Sequence, residues 1–149
     1  MNYIKLQKQF LDTFSKKGSK FICCILDEHY LISDNRFQIF KIPKSEMWLD
    51  IKKVMEGRTE VPSLESYMKL EGENGVLTGD IKETPDKKTI IKVASENNSS
   101  WIDKKLLDRF EIKKGLHFTI TDKKTNPLLV WENDVLCGMI LPVRVKEGD

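Results

Sequence analysis

Carboxylate side chains are concentrated in the middle of the chain, where they could hold a divalent metal ion. Residues 56–86 carry eight acidic side chains against three basic ones, although the whole chain has a formal charge of +2. Oxygen ligands of this kind suit Mg²⁺ or Ca²⁺ and the hydrolysis that such an ion assists. Six of these acids are candidate ligands without a fixed ligand spacing: Glu56, Glu60, Glu65, Glu71, Glu73 and Asp80. A small metal-dependent hydrolase or nuclease is one hypothesis, and a solvated acidic loop is the other.

Thiol and imidazole side chains do not form catalytic patterns. Cys23 and Cys24 are adjacent and Cys137 is isolated, all in apolar runs where a thiol usually acts as a small core residue. His29 and His117 begin neither a metal motif nor a base motif. No Cys-x-x-Cys, P-loop or Gly-x-Gly-x-x-Gly pattern occurs, so we predict no metal, cofactor or catalytic residue and expect a binding protein, not an enzyme.

Asp34 and Arg36 lie on either side of Asn35 in a short polar break. They could form an acid–base pair, which would be a second candidate for chemistry. Asp and Asn are common in tight turns because their side chains bond to nearby backbone groups. We therefore expect these residues to stabilise a turn.

Two segments of the chain resemble each other, which indicates an internal repeat. One inserted residue separates the two copies. The matched residues are Leu6 with Ile102, Phe10 with Leu106, Leu11 with Leu107, Asp12 with Asp108, Phe14 with Phe110, Lys16 with Lys113, Lys17 with Lys114, Gly18 with Gly115, and Phe21 with Phe118. Further on, Pro43 and Pro142 each end an apolar run. We infer that the chain contains a duplicated unit.

Each copy predicts a helix with one apolar stripe, because its large apolar residues recur every four positions. Lys-Lys-Gly then ends each helix, since cations complement the C-terminal dipole and Gly18 or Gly115 can adopt a left-handed conformation. Ser100 is the predicted N-cap of the second helix, which should cover Trp101–Phe110. Two helices should pack side by side on one face of a sheet.

Strands rich in β-branched and aromatic residues follow each predicted helix. A further strand, Thr89–Ala94, precedes the second helix, and one short helix is expected near Leu64–Leu70. The fold class is therefore α+β, with two pseudo-symmetric halves, each a helix plus a β-meander, and antiparallel sheet. The predicted meander strands are Lys20–Leu26, Tyr30–Ser33 and Arg36–Ile42 in the first copy, and His117–Thr121, Leu128–Trp131 and Val135–Val145 in the second.

Length and composition limit the class of protein. The 149 residues fit one domain, divided into a first half 2–43, an acidic irregular connection 44–88 and a second half 89–146. The 40% hydrophobic content is sufficient for a core, and no apolar run is long enough for a membrane span. The N-terminal residues lack the apolar stretch of a secretory signal, so we expect a cytoplasmic protein without membrane association.

The repeat and the C-terminal strands together resemble the bacterial DNA polymerase sliding clamp family. The most specific part is Met139-Ile140-Leu141-Pro142-Val143-Arg144, which is similar to the closing strand of that family. Tyr30–Asp34 with Arg36, Phe37 and Phe40 is similar to a strand-turn-strand of a clamp half. The resemblance covers about two thirds of the chain and implies a single DNA-clamp-like domain, whereas a bacterial clamp chain contains three domains.

The resemblance implies that the helices face double-stranded DNA and contact phosphates without reading bases. On this hypothesis the acidic segment should lie away from the helices. A solvated helix surface is the alternative, since acidic residues dilute the positive charge. The implied DNA-facing residues are Lys5, Lys8, Lys16, Lys17, Lys104, Lys105, Arg109, Lys113 and Lys114.

The resemblance also implies a groove or edge that receives a partner such as a replication protein, and it leaves a homo-oligomer possible. The implied groove residues are Met139, Leu141, Pro142, Val143 and Arg144. A strand that only completes the core is the alternative. In either case, alternation along the strand predicts that one of Met139 and Ile140 is buried against the helices while the other faces outward. A structural dimer through an exposed sheet edge, with no role in nucleic-acid binding, is a third hypothesis.

Overall fold

A computed structural model of the chain describes residues 1–15, 21–54 and 60–145. The first half contains α1 (Tyr3–Phe14), β1 (Ile22–Ile25), β2 (His29–Ser33) and β3 (Gln38–Pro43). A 3₁₀ turn (Lys44–Glu46) and the short helices α2 (Ile51–Val54) and α3 (Leu64–Tyr67) follow. The remaining elements are β4 (Glu73–Glu83), β5 (Thr89–Ala94), β6 (Ser99–Asp103), α4 (Lys104–Asp108), β7 (Leu116–Ile120), β8 (Leu128–Glu132) and β9 (Val135–Ile140).

The fold is α+β, with one antiparallel sheet of nine strands in the order β1-β2-β3-β9-β8-β7-β4-β5-β6. The three meander strands of each half lie close to their predicted positions, as does the predicted strand Thr89–Ala94. The last strand is shorter than predicted, because it ends at Ile140 and not at Val145. Beyond it, Val143 forms an isolated bridge with Trp101 of β6.

Apolar side chains fill both faces of the sheet. The helix-side core contains Leu6 and Phe10 of α1, Leu107 of α4 and alternate residues of the strands. On the opposite face, α3 covers the second-face core, which consists of Cys24, Leu31, Ile39, Leu64, Leu129 and Met139. Strand residues alternate between the two, since neighbouring side chains of a strand point to opposite faces. Among the described residues, no helix is long and apolar enough to cross a membrane.

The second predicted helix is wrong over its first part. Ser99–Asp103 forms strand β6, in which Ile102 pairs with Ile91 and is fully buried in the helix-side core. Pairing along β5 satisfies the backbone of this segment, and Trp and Ile suit a strand. Asp103 replaces Ser100 as N-cap, because its carboxylate accepts a bond from Lys105 N at 2.9 Å.

The predicted Lys-Lys-Gly endings have different outcomes in the two halves. The first, Lys16-Lys17-Gly18, lies outside the described residues. In the second half the prediction is wrong, because α4 ends at Asp108, well before Gly115. Gly115 has a left-handed φ of +76° and precedes β7, where it lies against the Asn133 side chain.

The predicted irregular connection contains the longest strand of the sheet, so this part of the prediction is wrong. β4 (Glu73–Glu83) pairs with β7 through its first three residues and with β5 from Val76 onward. An alanine Cβ at Gly75 would lie 3.0 Å from Val93 Cγ1, so glycine permits the close packing there. The register shifts between Leu77 and Ile81, where Gly79 has a φ of +89°. Backbone pairing outweighs the low strand propensity of glycine and acidic residues.

Candidate functional site

The predicted DNA-facing lysines lie on or next to α1 and α4. The segment that follows α4 approaches α1, because Lys5 Nζ lies 3.4 Å from Glu111 Oε1. Lys104 Nζ also forms an ion pair, at 2.7 Å from Asp108 Oδ2. Lys16 and Lys17 lie outside the described residues. The helix-face lysines, defined as the exposed remainder of the predicted set, are Lys5, Lys8, Lys104, Lys105, Lys113 and Lys114.

Arg109 differs from these lysines because its side chain is bonded within the protein, and its role as a DNA-facing residue stays a prediction. Its guanidinium donates to both carboxylate oxygens of Asp34, at 2.9 and 2.7 Å, and to Gln38 Oε1 at 2.9 Å. Nε donates to Gln9 Oε1 at 3.0 Å, and the guanidinium lies 4.9 Å from the centre of the Phe40 ring. The Arg109 side chain is 18% exposed and that of Asp34 is 5% exposed. The positive charge of Arg109 is therefore paired with the buried carboxylate of Asp34.

These contacts form a polar network between the two halves of the chain. Gln38 is fully buried, and its Nε2 donates to the carbonyl of Leu106 at 2.8 Å. The network therefore joins the β2–β3 turn and α1 to the second helix. Asp34 does not pair with Arg36, which occupies a turn position with a φ of +64°. The partners of Arg109 are distant along the chain, so residue spacing could not identify them.

The acidic segment does not assemble a metal site among the described residues. Glu60 accepts a bond from Ile25 N at 2.8 Å, and Glu65 forms an ion pair with Lys69 at 3.6 Å. Asp80 is bonded to the hydroxyl of Thr78 at 3.1 Å. Glu56 lies outside the described residues. These three carboxylates therefore belong to three separate local structures.

Glu73 has a well-defined structural contact. Its carboxylate accepts bonds from Ser95 Oγ (2.7 Å), from the backbone and side-chain nitrogens of Asn97 (3.1 and 2.6 Å), and from Asn98 Nδ2 (3.0 Å). The Ser95 and Asn97 bonds hold the pKa of Glu73 below its ordinary value, because they favour the charged form. Glu73 thereby fixes the β5–β6 turn to the start of β4.

The acidic segment does not lie away from the second helix. The β4 groove, of about 430 Å³, runs between the β4–β5 hairpin, α4 and the loop that precedes β7. Asp80 lines it together with Lys104 and Lys113, and Leu77 and Ile81 contribute apolar surface. Negative charge is thus placed beside part of the surface that was expected to bind DNA.

The thiols are in apolar surroundings, as expected from the sequence. Cys23, Cys24 and Cys137 are buried and free. Burial raises the pKa of Cys23 to about 12 and also raises the pKa of Cys24 and of Cys137. A raised pKa suppresses the thiolate form, which is the nucleophile. These three side chains are therefore arranged as core residues.

The histidines have packing roles in this structure. The His117 ring stacks on Trp131 at 5.9 Å, and its nitrogens lie within hydrogen-bond distance of Asn74 Oδ1 and the Asn133 carbonyl. His29 is in β2, and partial burial lowers its pKa. The local contacts of His117 thus account for its position.

The predicted partner-groove residues divide between two surfaces. Met139 and Leu141 line the second-face groove, of about 310 Å³, together with Arg36 and Tyr67. Val143 and Arg144 line a different groove, of about 820 Å³, beside the turn that joins β4 to β5. Pro142 lies between them, at the strand end where its lack of an N–H is tolerated. The five residues therefore do not form one continuous site.

The sheet faces of the last strand alternate as predicted, but Met139 does not face solvent. Ile140 lies in the helix-side core and Met139 in the second-face core. Both are buried, because α3 and its flanking segment cover the second face. The side chain of Arg144 is exposed.

No protein-family model matches the chain, and no curated protein or solved structure shows significant similarity to it.

Proposed function

We propose that this chain is a non-catalytic binding protein with a sliding-clamp-like architecture. The observation that carries this proposal is the strand order β1-β2-β3-β9-β8-β7. Exchanging β1, β2 and β3 with β7, β8 and β9 gives the same order, read from the opposite end of the sheet. A helix precedes each group, and both helices pack on the same core. A twofold axis between β3 and β9 would produce this arrangement.

The strand register supports such an axis. Phe40 pairs with Gly138, and an axis perpendicular to the sheet through this pair exchanges Ile42 with Ile140. Both isoleucines lie in the helix-side core, so the exchange preserves the faces of the sheet. The same axis matches Pro43 with Leu141. The sequence alignment of the repeat had matched Pro43 with Pro142, so the two alignments differ by one residue here. The axis remains part of the proposal.

The first partner that we propose is the phosphate backbone of double-stranded DNA, bound by the helix-face lysines. Lys8 and Lys105 are exposed, and no acidic side chain in the described part of the chain forms an ion pair with them. The exposed Lys5–Glu111 and Lys104–Asp108 ion pairs contribute little to stability, so a phosphate could replace the carboxylate at small cost. Binding of this kind is independent of base sequence and falls with added salt.

Fluorescence anisotropy with labelled duplexes of several sequences tests the DNA proposal. We expect Lys104→Glu/Lys105→Glu to weaken binding equally for all sequences and to make the salt dependence less steep. The matched control is Lys41→Glu/Lys69→Glu. It changes the net charge by the same amount, at residues near the second-face core. We expect this control variant to bind DNA more tightly than Lys104→Glu/Lys105→Glu. Equal binding by the two variants, or no wild-type binding at low salt, would exclude DNA as the partner.

A protein partner is the second candidate, favoured by the second-face groove. Leu141 and the buried Met139 line this groove, and Arg36 adds a cation. A groove with these features suits a short peptide that has an apolar anchor and an acidic residue. Val143 lines a different groove, so it provides a matched control position.

Selection from a random peptide display library tests the second candidate. Peptides selected on the wild-type protein should lose binding to Leu141→Glu and keep it for Val143→Glu. An equal loss with both variants would indicate a general effect on the fold, and circular dichroism would detect it. Peptides that bind all three proteins equally would exclude the second-face groove as their site.

A further inference from the structure

β4 has an open edge on the side that faces β7. β4 pairs with β7 only through Glu73, Asn74 and Gly75, and its other edge pairs with β5. From Val76 to Glu83, no described strand pairs with the edge on the β7 side. Unpaired N–H and C=O groups along an edge are a template for another strand.

The other exposed edges within the described residues are partly covered. At β1, Val61 N donates to Cys23 O at 2.9 Å, and Glu60 accepts from Ile25 N. At β6, Val143 N donates to Trp101 O at 2.8 Å. Among the described residues, the outer edge of β4 has no equivalent cover, and it carries two exposed apolar side chains. Ile81 is 66% exposed and Leu77 is 41% exposed.

We infer that the β4 edge pairs antiparallel with the β4 edge of a second copy of this chain, with Ile81 facing its own copy across a twofold axis. A twofold axis between two copies of one strand places a single residue opposite itself. With Ile81 at the centre, Asp80 of each copy faces Lys82 of the other. Cross-strand pairs of opposite charge are stabilising.

Charge selects this register over its neighbours. An axis centred on Asp80, Lys82 or Glu83 would place a charged residue opposite its own copy, and like charges directly opposite are destabilising. The small net charge of +2 adds little repulsion between two copies. Lys82 Nζ lies 5.9 Å from the Trp101 ring within its own chain, and its flexible stem allows the ammonium to reach Asp80 of the second copy.

This dimer does not depend on the clamp-like architecture, and with Ile81 at its centre it pairs residues 79–83 of the two β4 edges. An isologous contact closes on itself, so it produces a dimer and no longer assembly. The apolar side chains Leu77 and Ile81 lie at the mouth of the β4 groove, so the second copy would also cover that groove.

Analytical ultracentrifugation over a range of concentrations tests the inference. The wild-type protein should reach twice the chain mass of 17.3 kDa. Asp80→Lys and Lys82→Asp should each weaken the dimer about tenfold, because two cross-strand pairs become like-charged. The double variant Asp80→Lys/Lys82→Asp should regain wild-type dimerisation, since it restores both pairs with reversed polarity.

Two further variants separate the edge from general surface effects. Ile81→Glu should remove the dimer, whereas Ile4→Glu should not, although Ile4 on α1 is exposed to a similar extent, 60%. The two single charge variants change the net charge in opposite directions, so a simple charge effect would not weaken both. A monomer at every concentration would overturn the inference, and so would a dimer that tolerates Ile81→Glu or a double variant that remains monomeric.

Discussion

Gly138 occupies the point where β9 approaches β3 most closely. Its φ is +153°, and a Cβ at this position would collide with the carbonyl oxygen of Ile39. Because that oxygen belongs to the backbone, the two strands would have to separate. We expect Gly138→Ala to lower the free energy of unfolding by about 2–3 kcal/mol, measured by urea denaturation.

Gly79 is the matched control for Gly138. An alanine at Gly79 would have the strained backbone conformation without a collision, so the two effects on stability can be separated. Its φ is +89°, and an added Cβ would meet no atom within 4 Å. Gly79→Ala should therefore cost only about 1 kcal/mol, the conformational penalty alone. Equal costs at the two positions would contradict the collision at Ile39.

The Asp34–Arg109 ion pair predicts strong coupling between two distant residues. Arg109→Met would leave the buried Asp34 carboxylate without its cation, at a cost of about 3 kcal/mol. Adding Asp34→Asn removes the uncompensated charge, so the double variant should be more stable than Arg109→Met alone. A double-mutant cycle followed by urea denaturation measures this coupling, and strictly additive effects would show that the pair is unimportant.

Residue spacing predicted apolar burial but not buried polar contacts. Leu6 and Phe10 are buried as their helical spacing indicated. Gln7 is fully buried and bonds to Glu46 O, Trp48 N and Leu49 N, which residue spacing does not indicate. Its partners come from another segment, as do those of Arg109. Contacts of this kind depend on tertiary structure, which local periodicity does not contain.

At the scale of elements, Glu73 makes the β5–β6 turn sensitive to acid. Its pKa in the folded state lies below the ordinary 4.5, so its bonds stabilise the fold above that pH. The stabilisation is lost as pH falls through the lower folded value. We expect the melting temperature of the wild-type protein to fall more steeply between about pH 5 and 3 than that of Glu73→Gln.

Glu71 provides the control for this pH effect, because it is exposed and makes none of the bonds of Glu73. Glu71→Gln should keep the wild-type dependence of melting temperature on pH. If Glu73→Gln and the wild-type protein lose stability in parallel, the turn is not held by the carboxylate.

Helix and strand predictions differed in accuracy for a physical reason. The meander strands were predicted closely, because alternating apolar residues and short polar turns are local features. Ile102 fits the helical stripe as well as it fits a strand, and its pairing with Ile91 of β5 decided between the two. β4 was missed because its glycines and acids have low strand propensity, and only its neighbours β5 and β7 explain it.

At the scale of the molecule, the Val143–Trp101 bridge connects the last described segment to the far end of the sheet. Val143→Pro removes the N–H that donates to Trp101 O, so we expect a loss of about 1 kcal/mol in unfolding free energy. Val143→Ala keeps this N–H and should retain the slow hydrogen exchange of the β6 amides. Equal exchange rates in the two variants would contradict a stabilising bridge.

The pairing of β3 with β9 also has a consequence for synthesis on the ribosome. Phe40 emerges long before its partner Gly138, so the nascent chain presents β3 without its neighbour. At about 5–20 residues per second, this interval lasts for seconds. During this interval the first meander is an incomplete sheet, since the edge of β3 that will pair with β9 is open. We expect a chaperone that shields Gln38–Phe40 during translation to raise the yield of folded protein.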